Sequence, residues 1–227
     1  MSGGRVNVKI CGLTRAEDAR AAVAAGADAI GLNFVAGPRR IAPEAAEPIL
    51  AALSTDIERW ALLDLGGGEI PDPEKKLPAT GRITRVQAYG DADCRSLAVL
   101  RRRGLSVVAV RHLHGPESIR HTRAWLEACG DQPPELLLLD AGGAGRLGGT
   151  GRTLDWRMIA EHRARGALDG WPPLVLAGGL TPENVADAVR IVSPAWVDVS
   201  SGVESVPGVK DPTRMQAFVA AVRAAAS

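Results

Sequence analysis

The sequence LLLLD at Leu136–Asp140 is followed directly by a glycine-rich segment, residues 141–151. Four consecutive leucines before turn-forming residues predict a strand that is covered on both faces, as in a parallel sheet. A carboxylate at the end of such a strand loses hydration, which is costly unless the group has a function. We therefore predict that Asp140 is half of a proton-transferring pair. The glycine-rich loop is predicted to close over a substrate, with a plain surface excursion as the alternative.

Short apolar runs alternate with longer amphipathic stretches along the whole chain. Strands are predicted at residues 6–10, 29–34, 60–65, 83–87, 106–111, 136–140, 174–177 and 196–199. Helices are predicted at residues 15–25, 43–53, 92–103, 118–129, 156–167, 182–192 and 212–225, with a weak one near 73–77. Eight strand–helix units are the number that a parallel barrel requires. We predict an α/β protein, a (β/α)8 TIM barrel, with residues 1–227 as a single domain.

A doubly wound open sheet has the same local pattern and is the competing fold. It would place a glycine-rich dinucleotide-binding turn after the first strand. Here Cys11 and Gly12 follow that strand, with no second or third glycine in register. The barrel is therefore preferred. Within it, Thr14, Asp155 and Thr181 are predicted to cap the first, sixth and seventh helices.

Composition and charge exclude several classes of function. The net charge of +1 over 227 residues indicates no nucleic-acid partner, and no segment resembles a signal peptide or a membrane span. Cys11, Cys94 and Cys129 have no paired spacing, so we predict neither a disulfide framework nor a zinc site, and a cytoplasmic location. His112 and His114 are spaced like metal ligands but lack a third candidate ligand, so we predict surface positions for both.

In a parallel barrel the loops that follow the strands meet at one face, so residues far apart in sequence become neighbours. Cys11, Arg39 and Asp140 are predicted to meet there. A cysteine that ends a strand is commonly a small core residue. One beside a lysine, here Lys9, and a helix amino terminus could instead act as a general base. Position alone leaves both interpretations of Cys11 open.

Small residues follow both of the last two strands. Gly178 and Gly179 come after the seventh strand, and Ser200, Ser201 and Gly202 come after the eighth. Backbone N–H groups at these two places commonly bind phosphate in parallel barrels. We therefore predict a phosphate site, with glycines that only terminate strands as the alternative.

Five stretches of the sequence, in this order, carry a resemblance to a known family. They are VKICGLT at residues 8–14, GAD at 26–28 with PR at 38–39, LD at 139–140 with GGTG at 148–151 and DW at 155–156, LAGGL at 176–180 with PENV at 182–185, and VDVSSGVE at 197–204 with KD at 210–211. Together they are similar to the phosphoribosylanthranilate isomerase family of tryptophan biosynthesis. The resemblance implies a (β/α)8 barrel.

The resemblance also implies an Amadori rearrangement of N-(5-phosphoribosyl)anthranilate to 1-(2-carboxyphenylamino)-1-deoxyribulose 5-phosphate. It assigns Asp140 as the general acid, Cys11 as the general base and Arg39 as the group that binds the anthranilate carboxylate. By the same resemblance, the glycines and serines after the last two strands hold the phosphate, and Asp198 lies near the ribose. The implied partner is this small molecule, with no metal or organic cofactor, no nucleic acid and no membrane. The sequence does not indicate an oligomeric state.

The sequence departs from the family pattern in the second to fifth loops. Gly37 replaces the usual serine before Pro38 and Arg39, and Tyr89 replaces the usual histidine after the fourth strand. Because these loops would surround the aromatic half of the substrate, a paralogue acting on a different N-ribosyl amine phosphate is one alternative. Two others are a non-catalytic phosphate-binding barrel and an aldolase that forms a Schiff base on Lys9.

Overall fold

The computed structural model describes residues 5–54, 56–66, 77–78, 82–90, 92–142 and 153–226. Eight parallel strands pair in chain order, and β1 also pairs with β8, so the sheet is a closed barrel. The strands are β1 Asn7–Cys11, β2 Ala29–Asn33, β3 Glu58–Asp64, β4 Arg85–Tyr89, β5 Ser106–His112, β6 Leu136–Asp140, β7 Leu174–Leu176 and β8 Trp196–Val199. The predicted fold class is confirmed.

The helices lie outside the barrel, between consecutive strands. They are α1 Ala16–Ala24, α2 Pro43–Ala51, α3 Cys94–Arg102, α4 Pro116–Ala128, α5 Trp156–Ala164, α6 Val185–Val192 and α7 Pro212–Ala225. The weak helix predicted near residues 73–77 falls almost entirely outside the described residues, as does the glycine-rich loop beyond Gly142. No helix in the described part of the chain is long and apolar enough to cross a membrane.

Successive side chains of each strand point to opposite surfaces of the barrel wall. One set packs against the helices in a large apolar cluster that includes Val8, Ile10, Leu137 and Val197. The other set fills the inside of the barrel; its buried apolar members are Cys11, Ala29, Trp60, Leu62, Tyr89, Val108, Val110, Leu136, Leu138, Val175, Ala177 and Trp196. The strand ends above this interior layer carry the polar groups of the pocket.

The capping predictions have mixed outcomes. Asp155 caps α5 as predicted, since its carboxylate accepts a hydrogen bond from the Met158 N–H at 3.0 Å. Thr14 does not cap α1: its hydroxyl donates to the Gly208 carbonyl oxygen at 2.7 Å, and Arg15 occupies the cap position. Helix α6 begins at Val185 rather than near residue 182, because Thr181 and the next three residues form a turn.

A short antiparallel hairpin between β8 and α7 was not predicted. A 3-10 helix at Ser201–Val203 leads into β9 Glu204–Val206, which pairs with β10 Val209–Lys210. The bond from Thr14 to Gly208 ties this hairpin to the loop after β1. The hairpin thus brings Glu204 and Lys210 to the same end of the barrel as the strand ends.

The prediction that the chain has no disulfide is wrong. Cys94 and Cys129 are bonded, with Cα atoms 5.2 Å apart at positions 35 apart in the sequence. Cys94 begins α3 and Cys129 follows α4, so the bond links neighbouring helices. The sequence pattern could not show the pair, because only the docking of the two helices brings their ends together.

Candidate active site

A pocket opens at the carboxyl ends of the strands. It is lined by Cys11, Gly12, Asn33, Val35, Arg39, Leu62, Tyr89, Asp140, Ala177, Gly178, Gly179, Leu180, Asp198, Val199, Ser200 and Ser201. Eight of the nine predicted site residues are among them, and the ninth, Gly202, directly follows Ser201 in the chain. The predicted convergence therefore follows from barrel closure, which places the strand ends side by side.

Asp140 is the last residue of β6 and is 7% exposed. Its Oδ1 accepts a long hydrogen bond, 3.3 Å, from the Gly142 N–H. Burial raises the pKa of its carboxyl, while the Gly142 N–H and the nearby His112 oppose that rise. A carboxyl group with a raised pKa retains its proton closer to neutral pH, which is the property required of a general acid.

Cys11 is the last residue of β1, and its thiol is buried against Gly31 and Lys9. A Cβ atom at Gly31 would lie 2.9 Å from the Cys11 Sγ and 3.0 Å from the Lys9 Nζ. Both groups therefore occupy the space that the missing side chain leaves. Burial raises the pKa of the Cys11 thiol, and the positive charge of Lys9 counteracts this effect.

Lys9 is fully buried inside the barrel, and its Nζ lies 2.8 Å from the Asp198 Oδ1. The ammonium group is also 5.2 Å from the centroid of the Trp60 ring. Burial alone would lower the pKa of Lys9, but the charge and hydrogen bond of Asp198 raise it above its ordinary value. Lys9 therefore stays protonated, and a protonated amine is not the nucleophile that a Schiff-base aldolase needs.

Arg39 enters the pocket from the loop after β2, where Glu204 fixes its orientation. Its Nε and Nη2 each lie 2.7 Å from an oxygen of the Glu204 carboxylate. Lys210, which is buried, places its Nζ 2.8 Å from the same carboxylate. Although burial alone would raise the pKa of Glu204, these two cations hold it below its ordinary value. No local pattern in the sequence marks Glu204 or Lys210 as a site residue; both lie in stretches that carry the family resemblance.

The two glycines after β7 have backbone conformations that other residues rarely adopt. The φ angles of Gly178 and Gly179 are +83° and +65°. A Cβ atom at Gly178 would also lie 2.7 Å from the Ala141 N, so a side chain has no room there. These glycines let the backbone turn into the pocket, as a phosphate site requires.

The segment after β8 is held against both neighbouring loops. Ser200 donates its hydroxyl to the Cys11 carbonyl oxygen at 3.1 Å, and the Lys210 Nζ donates to the Ser200 carbonyl oxygen at 3.1 Å. A Cβ atom at Gly202 would lie 1.9 Å from the Leu180 carbonyl oxygen, so Gly202 allows the loops after β7 and β8 to pack together. The contact of these residues with a phosphate stays a prediction.

Three rings stand in a row beside Asp140. The ring centroids of Tyr89 and His112 are 6.5 Å apart, and those of His112 and His114 are 6.3 Å apart in a stacked arrangement. His114 is exposed as predicted, but His112 is half-buried, because its position on β5 pairs with Asp140 on β6. No group of three His, Cys, Asp or Glu side chains among the described residues could hold a metal ion.

Comparison with known proteins identifies the family. Residues 78–221 match the family model described as N-(5'phosphoribosyl)anthranilate (PRA) isomerase. The N-(5'-phosphoribosyl)anthranilate isomerase of Roseiflexus sp. strain RS-1 is 42% identical over 225 residues, covering 97% of this chain and 99% of the relative. That of Geobacter sulfurreducens is 39% identical over 218 residues, covering 94% and 97%. The chain belongs to the phosphoribosylanthranilate isomerase family.

Solved structures of phosphoribosylanthranilate isomerases share the fold over nearly the full chain. The enzyme from Thermotoga maritima superposes with a TM-score of 0.81 at 31% identity, covering 96% of this chain and 99% of that one. A further family structure, with a TM-score of 0.78 at 31% identity and the same two coverages, is a complex with reduced 1-(o-carboxyphenylamino)-1-deoxyribulose 5-phosphate. The resemblance seen in the sequence is thereby confirmed.

Proposed function

We propose that this protein isomerises N-(5-phosphoribosyl)anthranilate to 1-(2-carboxyphenylamino)-1-deoxyribulose 5-phosphate by general acid–base catalysis. The observation that carries the proposal is the single pocket that holds Cys11, Asp140 and the small residues after β7 and β8. Family membership and the ligand of the related structure support the same reaction. The pocket thus offers an acid, a base and a phosphate cradle to one small molecule.

Asp140 supplies the proton that opens the sugar ring. The proton passes to the furanose ring oxygen, the bond from that oxygen to C1′ breaks, and the nitrogen lone pair forms a C1′=N iminium. Burial raises the pKa of the carboxyl and so favours its protonated form beforehand, and the Gly142 N–H stabilises the carboxylate that remains. The two effects act on different protonation states, so Asp140 can both hold and release its proton.

Cys11 then removes the proton from C2′. The C2′–H electron pair becomes the C1′=C2′ double bond, and the iminium π electrons return to nitrogen, which gives an enolamine. Lys9 lies beside the thiol and, like the iminium itself, favours the thiolate form that acts as base. The enolamine gives the proton of its C2′ hydroxyl to the Asp140 carboxylate and receives at C1′ the proton that Cys11 took from C2′, which completes the isomerisation to the ketone and restores both groups.

The remaining groups position the substrate. Gly178, Gly179, Ser200 and Ser201 hold the phosphate through the loops after β7 and β8. Arg39 binds the anthranilate carboxylate: its guanidinium has five N–H donors, of which Glu204 takes two. Asp198 lies near the ribose and keeps Lys9 charged.

The test is single-turnover fluorescence with freshly generated N-(5-phosphoribosyl)anthranilate. Rapid loss of anthranilate fluorescence is expected with the wild type and is expected to vanish in Cys11→Ala and in Asp140→Asn. Asp187→Asn, at an exposed position of α6, is the matched control and is expected to keep full activity. No turnover by folded wild type would refute the proposal and direct attention to a different N-ribosyl amine phosphate.

We also infer a cytoplasmic location, because phosphorylated sugars do not cross a lipid bilayer unaided. The bond between Cys94 and Cys129 removes the cysteine argument for a reducing compartment. Cell fractionation tests the location, and a thiol-blocking reagent present from lysis shows whether Cys94 and Cys129 are bonded in the cell. Protein recovered outside the cytoplasmic fraction would contradict the inference.

A further inference from the structure

Tyr89 is the one tyrosine of the chain, and it ends β4 at the wall of the pocket. It is 7% exposed, so most of the residue is packed, and it is among the residues that line the pocket. Gln87 lies two residues earlier on the same face of the strand and is fully buried. Neither polar atom of the Gln87 side chain has a hydrogen-bond partner among the described residues. Gln87 and Tyr89 therefore place two polar side chains on the inner face of β4, and Tyr89 is the one that lines the pocket.

The surroundings of Tyr89 keep its hydroxyl neutral. Burial raises the pKa of the phenol well above its ordinary value, the negative charges of Asp140, Cys11 and Asp198 add to the effect, and the neighbouring Gln87 side chain opposes it. Arg39 is engaged by Glu204 and, in the function proposed above, by the anthranilate carboxylate, and the buried Lys9 is paired with Asp198. A neutral O–H group that cannot lose its proton is a hydrogen-bond donor to whatever oxygen the pocket binds.

We propose that Tyr89 is a third catalytic residue, whose hydroxyl donates a hydrogen bond to the substrate oxygen on C2′. This inference rests on the isomerase function proposed above. As the enolamine becomes the ketone, the C2′ hydroxyl loses its proton and negative charge develops on that oxygen. At this stage Asp140 is the carboxylate left after ring opening, and Cys11 is a thiol, which is only a weak hydrogen-bond donor. Tyr89 keeps its own proton throughout and lowers the energy of the charged oxygen.

The ring of Tyr89 is held in place by this chain's own neighbours. His112 lies 6.5 Å away between ring centroids and stacks in turn on His114. A Cβ atom at Gly142 would lie 2.9 Å from the His112 Nδ1, so the loop after β6 packs against the second ring. A donor supported in this way is oriented before the substrate binds, which is the condition for electrostatic stabilisation of a transition state.

The first test is Tyr89→Phe, which removes one oxygen atom and keeps the ring. We expect kcat to fall about 100-fold, the usual effect of losing one oxyanion donor, with KM within about threefold of wild type. Thermal unfolding of the variant is expected to match that of wild type, because the ring still packs beside His112. An unchanged kcat, or a rise in KM alone, would overturn the inference.

The second test uses the fact that the chain has one tyrosine. Protein labelled with ¹³C at the tyrosine ζ carbon gives one resonance, which is expected to shift when reduced 1-(o-carboxyphenylamino)-1-deoxyribulose 5-phosphate is added. In the free protein it is expected to remain that of a neutral phenol at pH 10, near which an unfolded tyrosine ionises. A resonance that ionises normally and ignores the bound analogue would overturn the inference.

The outcomes separate this inference from the proposed function. Wild type that fails to turn over N-(5-phosphoribosyl)anthranilate refutes the function and the role of Tyr89 with it. Active wild type with an equally active Tyr89→Phe refutes the role of Tyr89 alone. Active wild type with a slow, normally folded variant supports both.

Discussion

Replacing Lys9 by methionine tests the ion pair inside the barrel. The Lys9 side chain has no exposed surface, its Nζ lies 2.8 Å from the Asp198 Oδ1, and the Asp198 side chain is 9% exposed. Methionine keeps most of the length and the apolar packing but leaves the carboxylate without its cation. Loss of one partner of a buried pair costs about 3–5 kcal/mol, because the other charge stays desolvated and unpaired.

Urea unfolding, followed by the fluorescence of the five tryptophans, measures this cost. The free energy of unfolding of Lys9→Met is expected to fall by about 3–5 kcal/mol. The double variant Lys9→Met/Asp198→Leu is expected to recover most of the loss, since it leaves no buried charge alone. Arg190→Met is the control: it breaks a pair with Asp187 in which the side chains are 58% and 69% exposed, and it should change little.

The pH dependence gives a second readout. The pKa of Lys9 is raised above 10.5 in the folded protein, because Asp198 outweighs the effect of burial. The stabilisation is therefore fully present below pH 10.5, the unfolded value, and is lost as pH rises through the folded pKa. Wild type should lose this stability in alkali and Lys9→Met should not. A single variant within about 1 kcal/mol of wild type, or a double variant that recovers nothing, would refute the reasoning.

Three further predictions follow from other contacts. Gly31→Ala should lower the free energy of unfolding by about 1–3 kcal/mol and lower activity, because its Cβ would meet the Cys11 Sγ at 2.9 Å. Gly115→Ala is the control, since a Cβ there meets nothing within 4 Å. Equal urea midpoints for the two variants would contradict this prediction. Cys94→Ser/Cys129→Ser should lose about 3–4 kcal/mol, as expected for a crosslink between positions 35 apart, and only wild type should respond to reductant. Untreated, denatured wild type should show the one free thiol of Cys11, and a titre of all three cysteines would rule the crosslink out. Asp140→Asn should be more stable than wild type at pH 8. Because burial raises the folded pKa of Asp140, its stabilising contribution is present below pH 3.8 and is lost as pH rises through the folded pKa. The gain in urea midpoint should therefore shrink toward pH 4, and a gain of equal size at both pH values would count against the raised pKa.

The fold could be predicted because its signal is local. Each strand and its helix carry their own hydrophobic period, and strand β6 was predicted with its observed bounds, Leu136–Asp140. The prediction was wrong where a tertiary contact competes with a local one. Thr14 could cap α1, but the hairpin after β8 offers the Gly208 carbonyl oxygen to its hydroxyl instead. The hairpin itself consists of two very short strands without a periodic pattern, so nothing in the sequence marked it.

For the site as for the fold, some features follow from local sequence and others depend on tertiary contacts. The sequence by itself located the strand ends to within two residues, and hence indicated that Cys11 and Asp140 would face one pocket once a barrel was assumed. Only the tertiary structure decided which charges are paired: Lys9 with Asp198, 189 positions away, and Arg39 with Glu204, 165 positions away. Those pairings depend on which strand closes the barrel against β1 and in what register. That choice is made by packing over the whole interior, and no local sequence pattern encodes it.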